Sequence, residues 1–242
     1  MLNQFLRTEL LIGTEALQKL ALSRVAVFGV GGVGSYVVEG LVRTGVGKLV
    51  LVDNDCVSMT NLNRQLHATH KTLGRPKVEV MRDRILEINP LAQVEIYQKF
   101  YMPQLAEELI RLDYDYIVDA IDTVTAKIDL VVQAQRMGIP IISSMGAGNK
   151  LDPTRFEVSD IYATSVCPLA KVMRKELRLK GVDSLKVVYS REKPVTPKAV
   201  LKTDFENDCP NSRRPVTGSI AFVPSVAGLI IAGEVIKDLA GL

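Results

Sequence analysis

Cysteine is scarce in this sequence. Cys56, Cys167 and Cys209 are the only three in 242 residues. No two of them have CxxC spacing, so the chain carries no zinc-clip signature. An odd, sparse count suits a reducing cytoplasm better than a disulfide scaffold. Histidine is scarcer still: His67 and His70 lack a third partner at ligand spacing, so neither reads as a metal ligand. A strong charge imbalance is also missing. With 30 Lys and Arg against 27 Asp and Glu, a net charge of +3 does not argue nucleic-acid binding by itself. Any basic surface must be local. Met1 to Glu9 lacks the basic start and unbroken apolar core of a signal peptide, so a cytoplasmic location is expected. A membrane span is not expected either. The most apolar stretch, Ile220 to Ile236, is broken by Pro224 and Glu234 and falls short of the roughly 20 apolar residues needed. It reads as a strand, Ile220 to Val223, followed by a buried helix from about Ser225.

What is present is a large apolar fraction, 47%, with 24% charged residues. That composition predicts a folded chain with a substantial core. From Arg24 onward short apolar runs alternate with helical spacing. Val25–Phe28 and Lys48–Val52 read as buried strands, with a helix from Val33 to Thr44 between them. Pro76 opens a helix to about Ile88, with Val78, Met81, Ile85 and Ile88 on one face. Further strands are predicted at Val94–Phe100, Tyr116–Ala120 and Pro140–Ser144. Helices are predicted from Pro103 to about Arg111 and from Val124 to Met137. This order predicts an α/β fold, Rossmann-like and doubly wound, with a mostly parallel sheet. After Ser144 the rhythm changes to mixed strands and helices. Phe156–Val158 reads as an edge strand, Pro168 to about Lys180 as a helix and Leu185–Tyr189 as a strand. Arg191–Thr217, rich in proline and polar residues, reads as a long loop. No linker justifies a domain cut. The chain is expected to be one domain, 1–242, with a nucleotide-binding half at 1–148 and a substrate-side extension at 149–242.

Four motifs carry chemistry. Gly29-Val30-Gly31-Gly32-Val33-Gly34 follows a strand and opens a helix. Glycine lets the backbone turn tightly against a phosphate, and the helix N-terminus offers free N–H groups. The bland reading of such a turn is a tight connection without ligand. Asp53 ends the next strand, where a carboxylate can accept from ribose hydroxyls; that supports NAD, FAD or ATP alike. The third motif, Asp53 to Gln65, contains Asp55, Asn61, Arg64 and Gln65, and Lys77 follows in the first turn of the next helix. The fourth ends at Asp122, just past a strand's carboxyl end, where this fold places ligands. A triphosphate under attack needs cations, which a dinucleotide pyrophosphate does not. Arg64 and Lys77 could offset phosphate charge and Asp122 could hold Mg2+.

Together, the GxGGxG turn, the Asp53–Gln65 segment, Gly74-x-Pro76-Lys77 and Asp119-x-x-Asp122 resemble the ubiquitin-activating-type (ThiF/MoeB-like) adenylyltransferase superfamily. The resemblance covers about Arg7 to Gly148. It implies that Asp53 binds the ribose, that Asn61, Arg64 and Lys77 contact phosphates, and that Asp122 binds magnesium. Arg7 resembles an N-terminal arginine that in relatives reaches the other subunit's nucleotide, which implies a homodimer. His67 resembles a position near the phosphates.

The second half selects a branch. Ser144–Gly148, Asp152-Pro153-Thr154 and Pro168-Leu169-Ala170-Lys171 resemble the tRNA threonylcarbamoyladenosine dehydratases. That resemblance implies ATP-driven closure of a threonyl carboxylate on a modified adenosine in tRNA. It also leaves room for a sulfur-transfer protein as a further partner. Two positions depart from the family pattern: Cys167 stands where members carry aspartate, and the 186–190 strand holds no cysteine, which excludes a catalytic thiol there. Cys209 matches another family cysteine weakly and reads as an ordinary loop thiol; Cys56 reads as packed near the nucleotide. The segment Lys171–Lys180 holds five cations and one anion. Lys171, Arg174, Lys175 and Arg178 are expected to face out as a phosphate-tracking stripe for tRNA, with Val172, Leu177 and Leu179 packed inward. Lys198, Lys202, Arg213 and Arg214 could extend it. The rival readings are activation of a small ubiquitin-like sulfur carrier's C-terminus, NAD-dependent oxidation and a non-catalytic nucleotide scaffold.

Overall fold

Seven strands form one sheet in the order β3-β2-β1-β4-β5-β7-β6. The coordinates are a computed structural model, which describes residues 4–198 and 217–242. The strands are β1 (Arg24–Phe28), β2 (Lys48–Val52), β3 (Gln93–Tyr97), β4 (Tyr116–Asp119), β5 (Ile141–Ser144), β6 (Phe156–Asp160) and β7 (Lys186–Ser190). All neighbours are parallel except β6, which pairs antiparallel with β7 at the edge. β1, β2 and β4 are mostly apolar and, after the half-buried Arg24 and Lys48 that open β1 and β2, buried on both faces; the polar exception in β4 is the buried Asp119. That is what a central parallel strand covered by helices requires. The edge strand β3 carries Gln93 and Glu95 and is only half-buried.

Eight helices cover the sheet among the described residues: α1 (Leu6–Ile12), α2 (Thr14–Leu22), α3 (Gly34–Thr44), α4 (Lys77–Ile88), α5 (Ala106–Leu109), α6 (Val124–Arg136), α7 (Pro168–Leu179) and α8 (Phe222–Ala240). One core joins α2, α3, α4 and α8 to one sheet face. A second joins α5, α6 and α7 to the other. The expected doubly wound α/β architecture with a mixed C-terminal extension is present. The extension is not a separate body: β7 pairs with β5 inside the sheet, and α8 lies along α3. α8 comes close because small residues face each other. A Cβ on Gly228 would meet the Val33 carbonyl oxygen at 2.4 Å, and one on Gly40 would meet Ala232 Cβ at 2.6 Å.

The strand expected at Ile220–Val223 does not form. Helix α8 starts at Phe222, and Ile220 is exposed. A short apolar run cannot be told from a helix start by periodicity alone. Pro224 fits here because first-turn N–H groups have no helical partner to lose. Most of the loop expected at Arg191–Thr217, with Lys202, Cys209, Arg213 and Arg214, lies outside the described residues. No helix among the described residues is long and apolar enough to cross a membrane.

Candidate functional site

The site is built on the carboxyl edge of β1, β2 and β4, where the strand order reverses. β1 ends at Phe28, and Gly29 follows with φ +89°, a conformation that glycine adopts readily. The turn also has no room for a side chain. A Cβ on Gly29 would sit 2.6 Å from the Ala120 carbonyl oxygen, and one on Gly34 would sit 1.8 Å from that of Gly29. Gly29 therefore lets the end of β1 press against the end of β4. The four glycines expected at this turn, Gly29, Gly31, Gly32 and Gly34, lead directly into α3, whose positive N-terminal end faces the turn; its Ser35 and Tyr36 N–H groups bond back to the Gly31 and Val33 carbonyls at 3.0 Å.

Asp53 follows β2 and pins the turn from below. Its Oδ2 accepts from Val30 N at 2.7 Å, and its Oδ1 accepts from Asp55 N at 2.8 Å. An ionised carboxylate has about four acceptor sites, so two remain for ribose hydroxyls. Burial pushes its pKa up, against the opposing pull of Lys77. Lys77 is the first residue of α4 and is buried, yet its Nζ lies 2.7 Å from Asp55 Oδ2. Asp55, one of the residues of the Asp53–Gln65 motif, is thus the counter-ion of Lys77.

Between these elements runs the Ser58–His67 segment. The Asn61 side chain accepts from Ser58 N at 3.1 Å, closing the 3-10 turn Met59–Asn61. Arg64 is half-buried, donates to Thr60 O at 2.8 Å and lies against Gly32. Burial lowers its pKa. Gln65 reaches over Gly31: its Nε2 lies 3.9 Å from where a Gly31 Cβ would stand. Gln65 Oε1 and both ring nitrogens of His67 are buried without a protein partner. Those are the only such side-chain atoms among the described residues, and buried polar groups without partners are rare. Burial, with Lys77 and Arg84 nearby, pushes the His67 pKa down to about 4. The ring is neutral at physiological pH.

Asp122 is exposed at the end of the β4 loop, where Thr123 Oγ1 donates to it at 3.3 Å. It is held there by a pair whose partnership sequence reading missed. Asp119 and Lys127, both fully buried, form an ion pair at 2.8 Å. Asp119 also accepts from Ile121 N at 3.2 Å and from Ser143 Oγ, and Lys127 donates to the Ile121 carbonyl at 3.2 Å. Both charges thus grip the turn that projects Asp122. A lysine in an amphipathic helix looks solvated, so no signal marked Lys127. Also missed was the segment before α8. Asn63 Nδ2 donates to Ser219 O at 2.9 Å, Asn149 Oδ1 accepts from Gly218 N at 2.7 Å, and Pro224 packs on Gly32. This strap closes one side of the phosphate turn. No group of three or more His, Cys, Asp or Glu side chains among the described residues could hold a metal ion by itself.

The remaining expected residues lie elsewhere. Arg7 is exposed on α1, a helix that buries none of its own residues. On α7, Lys171, Lys175 and Arg178 are exposed, and Arg178 stacks over Tyr162 at 5.1 Å. Arg174 is half-buried and donates to the Thr164 carbonyl at 3.0 Å and to its hydroxyl. The inward face of α7 is Ala170, Met173 and Leu177; Val172 and Leu179, expected inside, are exposed. The helical period puts 170, 173 and 177 on one stripe and turns 172 and 179 away. Cys56, expected to pack near the nucleotide, is exposed, whereas Cys167 is buried.

The ThiF family model matches residues 5–242, so the chain belongs to the ThiF family. It is 47% identical to the tRNA threonylcarbamoyladenosine dehydratase of Bacillus subtilis, covering 99% of this chain and 95% of that protein. It is 34% identical to the Escherichia coli protein of that name, covering 98% and 93%. The crystal structure of the E. coli tRNA N6-threonylcarbamoyladenosine dehydratase in complex with ATP superposes with a TM-score of 0.87. It is 33% identical and covers 98% of this chain and 94% of that one.

Proposed function

We propose that this chain is an ATP-dependent tRNA threonylcarbamoyladenosine dehydratase. It adenylylates the threonyl carboxylate of the modified adenosine and cyclises it. The supporting observation is a phosphate turn pinned by Asp53 and flanked by Arg64 and Lys77, in a chain alike along its length to proteins of that name. ATP lies with its phosphates on Gly29–Gly34 and its ribose on Asp53. Asp55, Asn61 and Gln65 complete the pocket.

The substrate carboxylate attacks the α-phosphorus, and the bond to the β-phosphate oxygen breaks. Pyrophosphate leaves, and an acyl-adenylate remains. Arg64 and Lys77 stabilise charge on the transferring and leaving oxygens, and positioning supplies much of the remaining acceleration. Asp122, exposed at the crevice edge with Thr123 Oγ1 on one of its oxygens, would fit a Mg2+ ion bound mostly by phosphates. That ion would neutralise phosphate charge. A neighbouring nitrogen of the same modified base then attacks the activated carbonyl, and AMP departs. No enzyme thiol is required.

Residues 1–148 serve the nucleotide and 149–242 the substrate side. The working form is a homodimer that buries the exposed Leu10 and Leu11 of α1 and carries Arg7 to the partner's nucleotide. Lys171, Arg174, Lys175 and Arg178 track tRNA phosphates, and the enzyme works in the cytoplasm. The test is mass analysis of tRNA nucleosides after incubation with protein and ATP. Loss of one water from threonylcarbamoyladenosine is expected. Unchanged tRNA, with a carrier protein adenylylated instead, would overturn the reading.

A further inference from the structure

The carboxyl edge of the sheet carries a second concavity beyond β5. An open cavity of about 430 Å³ is lined by Asp152, Arg155, Val166, Arg191, Glu192 and Lys193. Topology explains the gathering. Arg155 ends the 3-10 turn Pro153–Arg155 that feeds β6, and Arg191 to Lys193 leave β7. Because β6 runs antiparallel to β7, the start of one and the end of the other meet. β7 is parallel to β5, so they meet on the edge that carries the Gly29–Gly34 turn and Asp122. Strands stand about 4.8 Å apart, which puts the cavity roughly 10–15 Å from the end of β4.

Three cations and two carboxylates line the cavity, but they are not equally free. Glu192 accepts from Leu151 N at 2.9 Å and from Asp152 N at 3.0 Å. Asp152 accepts from Thr154 N at 3.0 Å and from Arg155 Nε at 3.2 Å. Both carboxylates are engaged in holding the loop. Arg191 uses one nitrogen on Glu157, at 3.1 Å. A guanidinium carries five donors, so Arg155 and Arg191 keep most of theirs. Lys193 is exposed and has no ion pair or hydrogen bond among the described residues. The surplus is of hydrogen-bond donors: three cations face the two lining carboxylates, with Glu157 beside Arg191 as a third anion.

Backbone strain marks the same wall. Val166 has φ +61°, and Cys167 N donates to Ser165 O at 2.5 Å across it. A β-branched residue in the left-handed region is a genuine outlier, and such positions gather at ligand clamps. This turn leads straight into α7, whose positive N-terminal end therefore abuts the cavity. From there the exposed Lys171 and Lys175 continue along the helix.

We propose that this cavity is a backbone-phosphate subsite for the RNA strand flanking the modified nucleotide. It rests on the reading of tRNA as substrate. Arg155, Arg191 and Lys193 hold phosphate oxygens while the modified base reaches the Asp122 edge, and the α7 stripe receives the strand beyond.

The test is tRNA binding by anisotropy across a salt series, with ATP present, for wild type, Arg191→Gln with Lys193→Gln, and Lys193→Gln alone. The double variant should bind at least about tenfold more weakly, and its salt slope should fall by about one per cation removed. KM for tRNA should rise to match, while KM for ATP and kcat at saturating tRNA hold. Inorganic phosphate at equal ionic strength should compete no better than chloride. A double variant with wild-type affinity and slope, or one that raises KM for ATP instead, overturns the subsite. If the double variant melts early, Lys193→Gln decides: a severalfold loss supports the subsite and none overturns it. A wild-type protein that binds no tRNA removes the functional reading itself.

Discussion

The two stretches of the sheet's carboxyl edge use charge in opposite ways. Over β1 to β4 most of the charges are buried or locked, the exposed Asp122 apart. Asp119 and Lys127 are sealed in the core, Lys77 is buried against Asp55, and Asp53 grips the phosphate turn. Over β7, β6 and α7 several cations are exposed: Lys171, Lys175, Arg191 and Lys193 stand in solvent. Stabilising a transition state calls for dipoles fixed before reaction in a water-poor crevice. Following a nucleic-acid strand calls for cations that exchange with counterions and tolerate movement. Each region has the electrostatics that the ligand proposed for it demands.

Mutations that break the locked side should have the largest effects. Asp119→Ala leaves Lys127 buried and unpaired, and denaturant unfolding should show a loss of about 3–5 kcal/mol. Replacing both, Asp119→Leu with Lys127→Met, should cost less than either single change, because no charge is stranded. A double variant as unstable as the singles would refute the pair's role. Arg64→Ala should keep the melting temperature but lower the rate of pyrophosphate release by about 10²–10³-fold. Normal turnover would remove Arg64 from the chemistry.

A pH titration sharpens the contrast further. The folded-state pKa of His67 lies at about 4, below the unfolded value near 6.5. As pH falls, the unfolded chain takes up this proton first. The stability is complete above about 6.5 and drains away between about 6.5 and 4, by on the order of 3 kcal/mol. His67→Phe should flatten that part of the stability profile. A profile unchanged by this substitution would place the proton elsewhere.

On the exposed side smaller effects are expected. Lys171→Gln with Lys175→Gln should weaken tRNA binding severalfold and lower the salt slope by about one for each phosphate no longer neutralised. ATP binding measured by calorimetry should not move. Smallest of all, Cys56→Ser and Cys167→Ser should each retain substantial activity. Complete loss at unchanged stability would revive a thiol intermediate.

The locked side was legible in large part because its residues are close in sequence. The Gly29–Gly34 turn, Asp53 and Lys77 each sit at a strand end or helix start, where local spacing fixes their place, and Arg64 lies in the turns between β2 and α4. What was illegible depended on distant packing. Lys127 reads as a surface residue until the fold buries it beside Asp119. Ile220–Val223 reads as a strand until small residues let α8 dock on α3. Val172 and Leu179 read as core, yet α7 turns Ala170, Met173 and Leu177 inward. Cys56 reads as packed, yet it is exposed.

By itself the sequence determined the alternation of strands and helices, the parallel core and the phosphate turn. Those follow from residue size, apolar period and glycine's freedom, which act over a few residues. Only tertiary structure decided which charges are buried and which are free, that Gly218–Pro224 straps the phosphate turn, and that β6 and β7 bring Arg155, Arg191 and Lys193 to one cavity. Burial and long-range pairing are properties of a surface shared by segments far apart in the chain. No local pattern records that surface before the chain has folded.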